Sequence, residues 1–176
     1  GGDRPSRTIR KRKSEPSGVT VKPGTYKLIM TYGDQTSETT INVASDPRFD
    51  TPKKAIDDAY TAGKTLQSYT QKAADAVKQL VQSKNAAEDY KKMIKNNPTD
   101  SLYKNELKAI KDITKEIDDL IALYIGKVDK RQGITRNPEV TVMNRIRTAS
   151  GYAQSRPSGL TRTENTLLQH AKTELE

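Results

Sequence analysis

Ala59, Leu66, Ala73, Leu80, Ala87 and Ile94 stand seven residues apart, and this run constrains the chain more than any other feature. Ile56, Gly63, Thr70 and Val77 fill the companion positions. Apolar residues at heptad spacing line one side of an α-helix, so the run predicts a single helix over residues 52–96. The alanines of the seam let a neighbour approach closely, while the companion row turns polar at Lys84 and Lys91. Those two features describe a helix inside a bundle rather than a free-standing dimeric zipper.

Asn96-Asn97-Pro98-Thr99-Asp100 reads as a helix stop followed by a start, with Thr99 or Asp100 as N-cap. A second helix is expected over 101–130, with the stripe Tyr103, Leu107, Ile110, Ile117, Ile121, Tyr124 and Val128. Ile113 and Leu120 widen that stripe, which implies packing against more than one partner. The short connection makes these two helices antiparallel neighbours. After the breaker Gln132-Gly133 to Asn137-Pro138, a third helix is expected over 139–153 with Val142, Ile146 and Ala149 inward. Thr161 or Thr163 then caps a last helix, with Glu164 or Thr166 near the capping-box position and Leu167, Leu168, Ala171 and Leu175 on its inner face.

Ahead of the helices the periodicity is two. Tyr26, Leu28, Met30 and Tyr32 alternate with Lys27, Ile29 and Thr31, and Thr39, Ile41 and Val43 alternate again beyond a turn at Gly33-Asp34-Gln35. Val19-Thr20-Val21 leads in through Lys22-Pro23-Gly24, a second turn signal. This is a β-hairpin pattern. So short a sheet is marginal in water, and it must lean on a helix, on another copy or on a sheet outside this stretch. The expected fold is therefore mainly α with a small β part: an extended basic arm (1–18), a hairpin or partial Ig-like unit (19–45), and an antiparallel bundle of three to four helices (46–176).

Composition suits thin helical layers. Hydrophobic residues make up 32% of the 176, and tryptophan and cysteine are absent. Disulfide and thiol chemistry are thereby excluded. No apolar run approaches the roughly 20 residues that cross a bilayer. The net charge of +9 raises a polyanion as partner. Arg7, Arg10, Lys11, Arg12 and Lys13 in the arm are the candidate contacts, and Lys-rich helix surfaces would add to them. Elsewhere basic and acidic residues alternate, as on an ordinary solvated helix surface.

No catalytic or metal-binding constellation emerges, and no cofactor is expected. His170 is the only histidine. Without cysteine, a zinc site around it would need at least three carboxylates or water. Asp57-Asp58, Glu88-Asp89 and Asp118-Asp119 are adjacent pairs, and neighbours on a helix point about 100° apart rather than at one substrate. Gly63-Lys64-Thr65 matches only the end of a Walker A loop, because Asp58 stands where the first glycine is required. Tyr60, Tyr90, Tyr103 and Tyr124 fall on or beside the helix seams, where packing accounts for them.

Val21-Lys22-Pro23-Gly24-Thr25-Tyr26-Lys27-Leu28, then Ile41-Asn42-Val43-Ala44-Ser45-Asp46-Pro47-Arg48 and a long helix at once, resembles the closing stretch of large exported bacterial proteins with sortilin-like (BNR, Asp-box) β-propellers. Gln132-Gly133-Ile134-Thr135-Arg136 is consistent with that likeness. In such proteins a strand pair of this kind ends an Ig-like region after the propeller, and a helical segment follows. The resemblance implies a periplasmic or extracellular location, and since no signal peptide is legible after Gly1-Gly2-Asp3, the targeting signal is expected outside this stretch. It also implies that any glycosyl-hydrolase site lies in the propeller, so no catalytic residue carries over. The function expected is a non-catalytic structural or interaction module whose partner is the parent protein or another chain, the alternative being polyanion binding.

Overall fold

The computed structural model describes residues 18–97, 100–127, 140–156 and 159–176. Two strands, β1 (Gly24–Tyr32) and β2 (Gln35–Val43), are followed by α1 (Lys53–Lys95), a 3-10 turn (Asp100–Tyr103), α2 (Lys104–Ile125), α3 (Val142–Ala153) and α4 (Arg162–Leu175). The chain is mainly helical with one small antiparallel sheet, as its two periodicities require. No described helix is long and apolar enough to cross a membrane.

The heptad run does form one uninterrupted helix. α1 has 43 residues, about 64 Å at 1.5 Å per residue. It starts just after Pro52, whose missing N–H costs nothing at a helix entrance. It closes with Lys92 and Lys95 in the last turn, where cations oppose the partial negative charge of the free carbonyls.

α3 and α4 pack on the first half of this helix. Leu66 and Ala73 of α1 join Val142, Ile146, Ala149 and Ala153 of α3 and Ala171 of α4 in the core, with Tyr69, Tyr124, Leu160 and Leu167 against it. Alanine at so many of these places lets the helix axes come close, and small contacts do the work that aromatic bulk does elsewhere. α2 runs back along the second half of α1, with Ile94 of α1 and Ile110 and Ile117 of α2 buried. Lys84 of α1 bridges Asp118 of α2 at 2.6 Å on one side of this pair.

Local chemistry sets the helix starts. Thr141 holds an extended backbone and its hydroxyl accepts the Asn144 N–H at 3.1 Å, so α3 begins at Val142 rather than at 139. Thr161 and Glu164 form a complete capping box on α4, with the Glu164 carboxylate accepting the Thr161 N–H at 2.8 Å. The entry to α2 departs from expectation. Asp100 opens a 3-10 turn instead of capping the helix, and Tyr103 stands at the cap position without a side-chain bond. The tighter turn feeds α2 through its own i→i+3 bonds, so no side chain has to supply an acceptor. Thr99 and Val128 lie outside the described residues.

The hairpin has a two-residue turn at Gly33-Asp34, closed by the pair Tyr32↔Gln35. Gly33 adopts φ +57°, a left-handed conformation that a residue without Cβ reaches freely. Val19-Thr20-Val21 adds no strand to it. Among the described residues neither strand packs on a helix, and the bundle meets this hairpin only through the residues at its base.

Candidate interaction surface

The register sorts the hairpin into two unlike faces. Tyr26 pairs with Ile41, Leu28 with Thr39, Met30 with Ser37 and Tyr32 with Gln35, which gathers the large apolar side chains other than Ile29 on one side. The other side carries Thr25, Lys27, Ile29, Thr31, Thr36, Glu38, Thr40 and Asn42, with Lys27 bridging Glu38 at 2.7 Å. The apolar side lies open: Met30 is 70% exposed and Tyr32 85%. Both outer strand edges are nine residues long and free of proline. A two-stranded sheet with an uncovered apolar face and two open edges presents the features that other strands recognise.

A short joint fixes the base of this hairpin to α1. Val19 sits on Gly63, so close that a Cβ there would stand 2.8 Å from Val19 Cγ1. Lys22 Nζ bonds Asp57 at 2.7 Å and lies 5.1 Å from the centre of the Tyr60 ring. The Tyr26 hydroxyl donates to the Lys22 carbonyl at 2.6 Å, locking the first strand to the joint. The Lys22–Asp57 bond raises the lysine's pKa and lowers that of the aspartate, so both stay charged at neutral pH. In the sequence Gly63 occupies only a companion position of the seam. The one available signal of its further role was a glycine in the middle of an otherwise strong helix, where it costs stability unless something needs the space.

The remaining candidates resolve into ordinary contacts. Each adjacent acidic pair is divided between different lysines: Asp57 meets Lys22 and Asp58 meets Lys54, Glu88 meets Lys91 and Asp89 meets Lys92, Asp118 meets Lys84 and Asp119 meets Lys127. The side chains diverge as the helical angle demands, and no acid/base couple forms from them. His170 is exposed, its Nδ1 3.4 Å from an Arg145 nitrogen. No group of three or more His, Asp or Glu side chains among the described residues is arranged to hold a metal ion. Tyr60 and Tyr124 are half-buried as expected, whereas Tyr90 is 59% exposed and Tyr103 36%. Arg7, Arg10, Lys11, Arg12 and Lys13 lie outside the described residues.

One groove of about 580 Å³ runs between α1 and α4, lined by Asp58, Thr61, Thr65, Tyr69, Asn165 and Gln169 among others. Its hydroxyls at Thr61 and Thr65 are turned back onto the carbonyls of Asp57 and Thr61, one helical turn earlier. The lining therefore spends its polarity on its own helices. No protein-family model, curated protein or solved structure matches this chain.

Proposed function

We propose that this chain is a non-catalytic interaction module at the C-terminal end of a larger exported bacterial protein, where the hairpin completes an Ig-like sheet and the helical bundle packs beside it. The observation that carries the reading is the hairpin itself. Its apolar face is uncovered although its base is held firmly on α1 by Val19, Lys22 and Tyr26. Two strands alone bury too little to be independently stable, and a second sheet about 10 Å away is the natural cover for such a face. The likeness of the Pro-Gly-Thr-Tyr strand and the Asp-Pro-Arg exit to the end of an Ig-like region supports the same reading and supplies the exported context.

The chain contains no cysteine, so a single thiol reports cleanly on this face. Met30→Cys is expected to react rapidly with a maleimide in the isolated chain and to be strongly protected in the parent protein. Equal labelling in both would overturn the reading.

A further inference from the structure

α2 carries two apolar stripes, and only one of them is used. Ile110, Thr114 and Ile117 face α1 and are buried. The second stripe, Ala109, Ile113, Leu120 and Leu123, repeats at alternating four- and three-residue steps once Glu116 is included. That is the spacing of a seam for another helix. Ile113 is 51% exposed, Leu120 46% and Leu123 62%. α2 does meet a second described helix, α3, near Tyr124, but no described helix covers Ile113 or Leu120. By helical phase, this stripe lies on the side of the α1–α2 pair opposite the Lys84–Asp118 bridge, and exposed Tyr90 of α1 shares that side.

The charge on this side selects the occupant. Glu106, Asp112 and Glu116 are exposed in or beside the stripe, while Lys104, Lys108, Lys111 and Lys115 fall on other faces of α2. A chain of net charge +9 therefore presents, at this place, an apolar seam bordered by carboxylates. Glu116 stands between Ile113 and Leu120. A second copy pairing antiparallel across that centre would bring two carboxylates together over an apolar seam, which opposes self-association. We infer that the outer seam of α2 is a docking site for a basic amphipathic helix of a partner protein, with apolar residues at heptad spacing and Lys or Arg beside them. This inference is independent of what covers the hairpin.

The test uses the full chain and two designed three-heptad peptides, one with Leu at the a and d positions and Lys flanking, the other identical with Glu for Lys. Fluorescence anisotropy should show the Lys peptide binding at least about tenfold tighter than the Glu peptide, against the overall positive charge of the protein. Ile113→Glu/Leu120→Glu should abolish that binding with the far-ultraviolet circular dichroism unchanged, since both side chains are exposed. Glu116→Lys should remove the preference between peptides. Equal binding of the two peptides, or Lys-peptide binding that survives Ile113→Glu/Leu120→Glu, would overturn the proposal. So would sedimentation showing that the free chain dimerises and that Leu120→Glu abolishes the dimer, because a second copy would then own the seam.

Discussion

The first half of α1 and the hairpin joined to it were both laid down by strong apolar periodicity, yet they end in opposite circumstances. Around Leu66 and Ala73 the apolar side chains of α1, α3 and α4 pack on one another, and Ile146 opposite them is 1% exposed. On the hairpin the same fidelity of pattern leaves Leu28, Met30 and Tyr32 facing solvent. Periodicity specifies which side chains share a face, and it is silent on whether that face is covered from within or from without. The contrast separates the part of the molecule whose apolar face is covered from within from the part whose apolar face stays open.

The strongest way to break this contrast is to truncate one side chain in each region. Ile146→Ala should cost about 3–4 kcal/mol in urea unfolding, because it removes a fully buried side chain that its tightly packed surroundings cannot refill. Met30→Ala should change the same midpoint by less than about 0.5 kcal/mol in the isolated chain. Comparable losses at the two sites would show that the hairpin is covered after all.

Thr161→Ala comes next, with about 1 kcal/mol expected from loss of the α4 cap. The cap also adds an acid dependence. Hydrogen bonding from the Thr161 hydroxyl, followed by backbone N–H groups, holds the Glu164 pKa below its ordinary 4.5. A carboxylate depressed in the folded state stabilises fully above the unfolded value and loses that contribution as pH falls through the folded one. The urea midpoint of the wild type should therefore decline as pH falls below about 4.5, and Glu164→Gln should flatten that decline. Identical pH profiles for the two proteins would remove the capping box as its source.

Gly63→Ala should move the unfolding transition only slightly and sharpens the contrast most. Alanine favours the helix by up to about 1 kcal/mol, so unfolding should shift slightly upward or stay in place. The new methyl group displaces Val19, and the amides of β1 and β2 should then show faster motion in nitrogen-15 relaxation while those of α3 and α4 do not change. Unaltered relaxation in the strands would mean that Lys22 and Tyr26 hold the joint without Val19.

Most of the architecture was legible because each element carries a single dominant period. The seam from Ala59 to Ile94 determined α1 to within a residue or two, and Val142, Ile146 and Ala149 turned inward as their spacing demands. What escaped was decided by backbone groups and by neighbours. The start of α2 depends on a 3-10 turn that has no side-chain signature at Asp100, and the start of α3 on where the Thr141 hydroxyl finds a free N–H. Val19 read as a strand residue because valine suits extended backbone. Its seat on Gly63 brings together residues 44 positions apart, a distance across which no local pattern operates. Exposure of Tyr90, Ile113 and Leu120 was hidden for the same reason, since an apolar stripe looks alike whether or not a helix lies on it.

The length of α1 gives its joint a mechanical meaning. Gly63 lies near one end of a rod, and about 48 Å of continuous helix extends beyond it to Lys95. A tilt of only about 5° at that seat would sweep the far tip through about 4 Å, and the part of α2 level with Lys84 through about 3 Å, by the geometry of a rod of that length. The orientation of the hairpin's base is thereby coupled to the position of a surface about 30 Å away along the rod.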